Sequence, residues 1–447
     1  MSKVFKTVLT TCTILCCTSG FSQSKKENLL LDKVQKQSIK YFWDYAEPHS
    51  KLARERFHPD GFYQENDSHI ITTGGTGFGF MSLIVGIDRQ FIPRNEAVDK
   101  ILIGLNFLKN ADRFHGAWPH WLNGETGKVK AFSKFDNGGD LVETAFLAQG
   151  LICLKEYFKN SNQPKEIELA KLADSLWKEI DFKFYTRGED VLYWHWSPDY
   201  EWKINFPLKG FDETLITYII AASSPKYAIN KSVYYKGWTR NGAIKTDQKV
   251  YGIPLVVNHN GVKNHVGPLF WSQYSFIGLN PNNLVDGIGV NYGDVVINQS
   301  KIHFQYAQNK KENQSKTIEK VWGLTASYTF NKDGNIGYTA HQPTNDNYVI
   351  TPTAALSSFP YTPKESMGFL KYLYEKENKR LIGIAGPYDA FDSKSDRVIE
   401  RYLAIDQGTI TPMIENYRSG LLWKLFMQNE DVKRGLKNLD FTSSDTN

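Results

Sequence analysis

Three carboxylates, Asp136, Asp140 and Glu143, gather at the start of an apolar helix in Lys134–Ile152, KFDNGGDLVETAFLAQGLI. Gly138 and Gly139 allow a sharp bend ahead of that helix. Leu141, Ala145, Ala148, Leu151 and Ile152 then recur at helical spacing. Acids held at a helix N-terminus suit proton transfer to and from a neutral substrate. The same spacing also fits a capping box, with Asp140 at the N-cap and Glu143 three residues on, both favoured by the helix dipole. Repetition of the device tips the reading towards chemistry. Lys209–Ala222, KGFDETLITYIIAA, again sets a glycine, an acid (Asp212) and a Glu-Thr step (Glu213–Thr214) before an apolar helix. Two helices built this way can aim their acidic ends into one pocket.

Helices are therefore the elements that must position these acids. Lys26–Tyr45 has an amphipathic helical pattern, and Thr73–Gly86 is a run of small residues suited to close packing. Pro93 and Pro164 stand at first-turn positions of helices running to Lys109 and Ile180, and Thr362–Pro363 opens another to about Tyr374. Further helices are expected over Asp212–Ala222, Tyr292–Gln308 and Ile410–Met427. Between Asp190 and Asn205 the pattern changes to aromatic alternation, VLYWHWSPDYEWKIN, which predicts a short hairpin. No Gly/Ser- or Pro-rich linker divides the chain. About a dozen helices in one domain point to a double ring of helices rather than a bundle.

Composition narrows the chemistry. The 447 residues are 41% hydrophobic and 23% charged, enough for a large core. The net charge of +5 is spread thinly, with no dense Lys/Arg tract, so nucleic acid is not an expected partner. Lys3 and Lys6, the apolar run Val8–Cys17 and the small-x-small site Gly20–Phe21–Ser22 read as a signal peptide over residues 1–22. The expected product is an exported protein, periplasmic or secreted, with a lipid-anchored form through Cys16 or Cys17 as the second reading. No further segment is long and apolar enough to be transmembrane. Residues 23–447 would form the catalytic domain, keep only Cys153, and so depend on their core rather than on a disulfide.

Several chemistries lack their motifs. Thr73–Phe80, TGGTGFGF, has no Lys-Ser/Thr of a phosphate loop. His115, His120, His259 and His265 do not form a metalloprotease-type pair, so no metal and no cofactor are expected. A Gly-x-Ser-x-Gly elbow is absent. Carboxylates, aromatic rings and loops remain, which is the equipment of glycoside hydrolysis.

Longer motifs carry a family resemblance. YFWDYAEP (Tyr41–Pro48), LARER (Leu52–Arg56), TTGGTGFGFMSL (Thr72–Leu83), HGAWPHW (His115–Trp121) and NGGDLVETAF (Asn137–Phe146) resemble the glycoamylase-like domain. GPLFWSQYSF (Gly267–Phe276), VWGLTAS (Val321–Ser327), TPTAALSSFPYTP (Thr351–Pro363) and AIDQGTITPMIENYRSGLLW (Ala404–Trp423) continue it in order over nearly the whole chain. The pattern is most similar to glycoside hydrolase family 144, endo-β-1,2-glucanases. Lys51 is a departure, since a glycine usually precedes the Leu-x-Arg-Glu-Arg segment. The resemblance implies an all-α (α/α)6 barrel with short β-hairpin insertions, a single domain and a glucan substrate.

It also carries roles onto Asp136, Asp140, Glu143, Glu213 and Asp406 as catalytic acids, with Glu213 protonating the leaving group and a first-loop acid activating water. Asp406 would lie just before the helix from Ile410. Arg54, Arg56, Trp118, His120, Trp121, Trp194, Trp196, Trp271, Tyr274 and Trp322 are the expected substrate-binding residues, because Trp and Tyr faces suit sugar rings. A monomer is expected. Two alternatives stay open at this level: hydrolysis of another glucan linkage, and a non-catalytic glycan-binding protein of the cell surface.

Overall fold

Ser24 opens the first helix with a complete capping box, its hydroxyl accepting from the Glu27 amide while Glu27 reaches back to the Ser24 amide. The computed structural model describes residues 24–310, 321–377 and 380–444. The leader expected in 1–22 lies outside the described residues. Among these residues thirteen α-helices follow in order: α1 (Lys25–Trp43), α2 (Thr73–Asp88), α3 (Arg94–Asn110), α4 (Leu141–Phe158), α5 (Pro164–Lys178), α6 (Leu215–Ser223), α7 (Lys231–Val233), α8 (Tyr292–Asn309), α9 (Pro352–Leu356), α10 (Pro363–Lys371), α11 (Ala404–Arg418), α12 (Leu421–Met427) and α13 (Glu430–Asn438). None of them is long and apolar enough to cross a membrane.

Burial sorts these helices into two rings. All but the last residue of α2, nearly every residue of α4, all of α6 and Ala404–Asn416 of α11 apart from Ile405 are buried. Helices hydrophobic all round belong inside a structure. By contrast α1, α3, α5, α8 and α13 bury one face only. The result is the expected double ring, an all-α helical barrel. Helix α2 packs against α4, α11 and α1, and α4 reaches α5, α6 and α12.

Small sheets tie down the loops at the N-terminal ends of the inner helices. Ile70–Thr72 pairs with Trp121–Asn123, Arg56–Phe57 with Tyr402–Leu403, and Ala326–Phe330 with Ile336–Ala340. The aromatic segment from Asp190 is not a simple hairpin. His195–Trp196 pairs with Gly139–Asp140, which fastens it to the first acidic loop. Two helix boundaries also differ from expectation. The stretch Ile410–Met427 is not one helix: α11 starts earlier, at Ala404, tolerates Pro412 inside it, and ends before Gly420 at φ 71°. Asp406 therefore lies within the first turn of α11. The second boundary is that of α6, which begins at Leu215 because the Asp212 carboxylate accepts from both the amide and the hydroxyl of Thr214, an Asx turn that delays the helix.

The glycine run in α2 performs the close packing its composition predicts. A Cβ on Gly77 would lie 2.2 Å from the Phe146 carbonyl oxygen and 2.6 Å from the Leu147 Cα. One on Gly150 would lie 2.4 Å from the Gly77 carbonyl oxygen. Helices α2 and α4 thus touch backbone to backbone. Alanine normally favours a helix over glycine by roughly 1 kcal/mol, but here the added methyl has nowhere to go. We expect Gly77→Ala to destabilise the protein by about 1–3 kcal/mol, seen as a lower urea midpoint at constant slope. Gly368→Ala in α10, where no atom lies within 4 Å of the new Cβ, should be neutral or stabilising.

Candidate active site

A cleft of about 950 Å³ opens over the N-terminal ends of α2, α4, α6 and α11, with Thr72, Glu143, Glu213 and Ile405 in its lining. Both repeated acidic helix starts therefore feed one cavity. They do so in different ways, and Asp140 shows how.

Asp140 is the N-cap of α4 and fully buried, its Oδ1 accepting from the Glu143 amide at 2.9 Å. The same oxygen accepts from the Trp194 indole N–H at 2.8 Å, and Oδ2 lies 2.8 Å from His120 Nδ1. Burial opposes its charge, yet the His120 hydrogen bond and charge, together with His195, hold its carboxyl below the ordinary range. Asp140 is thus an ionised positioning group that does not reach the cleft.

Only half of the capping box forms. The Asp140 amide is taken by the Trp118 carbonyl at 2.9 Å, so Glu143 does not return to it. Instead the Glu143 carboxylate crosses to α2, where the Gly74 amide donates to Oε2 at 2.8 Å and the Thr72 hydroxyl lies 3.4 Å away. A Cβ on Gly74 would lie 2.5 Å from that oxygen, so a side chain here would displace the Glu143 carboxylate. Burial, and then the Asp140 charge, push the Glu143 carboxyl up to about 7, while His120 and the α2 donors act against the rise.

Glu213 has the opposite environment. Its side chain lines the cleft, and among the described residues no other side chain is hydrogen-bonded to its carboxyl. Burial, then Asp212, then the charges of Glu143 and Asp140 raise it well above the carboxylate range. Glu213 therefore favours its protonated form, and Glu143 can ionise near neutrality. The two are close enough to feel each other's charge.

His120 stands beside them in the lining, packed 4.3 Å from the Phe132 ring. Burial disfavours its charge, but Glu143, the Asp140 hydrogen bond and charge, and Asp136 outweigh this and lift it to about 9. His120, Asp136 and Asp140 each offer one ligand-type atom, all within 4.8 Å of one another. An imidazolium cannot ligate a cation, so the hydrogen bond and a metal compete for this trio.

The cleft collects some of the expected residues and not others. Arg56, His120, Trp121, Trp194, Tyr274, Glu143 and Glu213 line it. Asp136 is buried beside the cleft, its carboxylate 3.4 Å from His195 Nδ1. Asp406 is buried as well, its Oδ1 3.4 Å from the Tyr274 hydroxyl, and burial and the adjacent Asp389 push it well above the carboxylate range. Five expected binders face elsewhere. Arg54 donates to the Tyr45 and Ser68 carbonyls. Trp118 is fully buried with its indole N–H on the Leu108 carbonyl, and Trp322 is buried in a separate apolar cluster. Trp196 packs against Phe114, His115 and Phe184, and Trp271 against His259 and His265. Membership of a motif did not reveal which way these side chains point.

Other lining residues went unread in the sequence. Glu55 is ion-paired to Arg56, and burial raises its carboxyl. Phe62, Phe132, Tyr328, Tyr338 and Arg401 also face the cleft. One available signal was Asp333–Gly334 between alternating strands, a hairpin turn signature.

The Asp140–His120 pair is open to test. Asp140→Asn keeps an N-cap acceptor, so stability should change by less than about 1 kcal/mol. His120 loses its bonded anion, and its imidazole titration followed by NMR should move down from about 9. An unmoved titration would refute the pair.

Comparison with known proteins agrees with this architecture. The glycoamylase family model, described as "Putative glucoamylase", matches residues 205–430. The exo beta-1,2-glucooligosaccharide sophorohydrolase (non-reducing end) of Parabacteroides distasonis is 41% identical over 432 residues, covering 92% of this chain; the chain spans 57% of that relative's length. The structure of the endo-beta-1,2-glucanase from Chitinophaga pinensis, in complex with sophorotriose and glucose, superposes with a TM-score of 0.89 at 48% identity, covering 95% of this chain and 100% of that one. A beta-1,2-glucanase from P. distasonis gives 0.84 at 38% identity, over 93% of this chain and 60% of that one. With half of its length matched by the family model and its whole fold shared with these enzymes, the chain belongs to the glycoamylase family.

Proposed function

We propose that this chain is an exported glycoside hydrolase that cleaves β-1,2-glucan within the polymer, by single displacement with inversion. The observation that carries the reading is the pair of carboxyl groups from two inner-helix starts, Glu143 and Glu213, facing one cleft in unlike protonation states. Glycoside hydrolysis needs this asymmetry: one acid arrives protonated for the leaving oxygen, the other arrives ionised to activate water. Glu213 is the acid. Glu143 is the base, since Asp140 has its oxygens occupied and Asp136 and Asp406 do not line the cleft. Glu143 and Glu213 feel each other's charge without sharing a hydrogen bond, and the inverting course follows the family resemblance. The linkage rests on these three relatives, each of which acts on a β-1,2-glucan or its oligosaccharides. The leader read in residues 1–22 supports export.

A second reading, stepwise release of disaccharide from a chain end, is favoured by the P. distasonis sophorohydrolase. Product sizes separate the two: early oligosaccharides of mixed length mean internal cleavage, and disaccharide alone means the exo mode.

Reducing-end release from a panel of β-1,2-, β-1,3-, β-1,4- and α-1,4-glucans should be confined to β-1,2-glucan. Glu213→Gln should abolish it with the melting temperature unchanged, and α-anomers should form first by proton NMR. Turnover of no glucan by the wild type would leave a binding protein instead.

The acid limb of kcat/KM should follow ionisation of Glu143, because the base must be charged. His120 favours that charge, so His120→Gln should move the limb to higher pH and leave some activity. A limb that stays in place would remove His120 from the tuning of the base.

A further inference from the structure

Among the described residues, three aromatic rings are more than half exposed: Phe62 at 63%, Tyr338 at 58% and Phe132 at 51%. All three line the same cleft. They come from three distant segments, so the coincidence belongs to the fold and not to local sequence. Exposed apolar rings concentrated at one site mark a surface that is covered in use.

Two of the rings are held on a common frame. His58 joins the Phe62 carbonyl at 2.6 Å through Nδ1 and the Tyr328 hydroxyl at 3.0 Å through Nε2. Tyr328 in turn faces Tyr338 across the hairpin Ala326–Phe330/Ile336–Ala340. The loop bearing Phe62 and the hairpin bearing Tyr338 are thereby pinned together. Phe132 rises from the side that carries His120 and Trp121, with ring separations of 4.3 and 4.8 Å.

A polar group accompanies the rings. Arg401 lines the cleft on the wall with Tyr328, and its guanidinium has no hydrogen bond or ion pair among the described residues. The other cation groups in the lining are engaged, Arg56 with Glu55 and His120 with Asp140. An arginine with five idle donors beside exposed rings matches a pyranose, which has an apolar face and a hydroxylated edge.

We infer that Phe62, Tyr338 and Phe132, with Arg401, form a sugar subsite outside the acid pair, holding glucan units that are not themselves cleaved. The inference rests on the glucan reading above. The rings take pyranose faces, and the Arg401 fork donates to a pair of hydroxyl oxygens. Such contacts hold substrate and transition state alike, so their loss raises KM and spares kcat.

The test uses full-length protein with Phe62→Ala, Tyr338→Ala and Arg401→Gln, and Tyr338→Phe as the ring-conserving control. On β-1,2-glucan each of the first three should raise KM about tenfold with kcat within twofold and an unchanged Tm; Tyr338→Phe, which keeps the ring, should raise KM clearly less than Tyr338→Ala. The same changes in a Glu213→Gln background, titrated calorimetrically with each glucan of the panel, read binding without cleavage. There they should weaken Kd for whichever glucan the parent binds. Wild-type protein that binds a glucan but cleaves none removes the hydrolase reading and leaves the subsite standing if the variants weaken binding. Unchanged KM and Kd in Phe62→Ala and Tyr338→Ala, equal loss in Tyr338→Ala and Tyr338→Phe, or a parent that binds no glucan each overturn the subsite.

Discussion

Helices α2 and α4 approach until the Gly77 backbone meets the Phe146 carbonyl, and no side chain fits between them. That contact sets the distance at which Glu143, in the first turn of α4, can reach the amide of Gly74 in the first turn of α2. Set α4 back by one methyl layer and the carboxylate would lose the donor. It would then fall back to its own helix end, where the sequence predicts it as a capping residue. Close packing therefore converts an ordinary cap into a group that faces a cleft. The glycines of the run Thr73–Phe80 contribute to the site without touching a substrate.

A division of labour among the acids follows from this arrangement. Asp140 does the capping, joins Glu143 in keeping His120 protonated, and is sealed off. Glu143 is buried beside a neighbouring anion and opposed by a cation and a helix N-terminus, influences that together bring its carboxyl to about 7. Glu213 receives burial and repulsion with no bonded donor from another side chain, and so retains its proton. Three carboxyl groups of the same chemical type thus acquire three protonation behaviours from their surroundings alone.

The legible part of the sequence was the part written in local periodicity. Helix α4 and the small-residue pattern of α2 are visible because a buried inner helix must be apolar or small on every side. Both acidic helix starts were visible because glycine, acid and Glu-Thr recur in the same order. Direction of side chains was not visible. Trp118 and Trp121 lie three residues apart in one motif, yet the first is sealed in the core with its N–H on Leu108 and the second lines the cleft. Strand pairing decides that difference, since Trp121 sits opposite Thr72, and pairing partners are set far along the chain. The division of α11 from α12 has a related cause: it is made by a single glycine, Gly420, while Pro412, the stronger local break signal, is accommodated inside α11.

The C-terminal half supplies what local reading omits most. Tyr328, Tyr338 and Arg401 reach the cleft from a hairpin and from the residue just before the strand Tyr402–Leu403, which carry no acidic helix start to draw notice. Their placement depends on long-range ties, His58 to Tyr328 and the pairing of Arg56 with Leu403. Those ties join residues more than 200 positions apart in each case. The wall of the cleft that bears the acids is thus written in two short segments. The facing wall exists only once the barrel has closed and brought both ends of the chain together. The lining contributed there can then vary, in its exposed rings and one arginine, while the packing that aims Glu143 stays fixed.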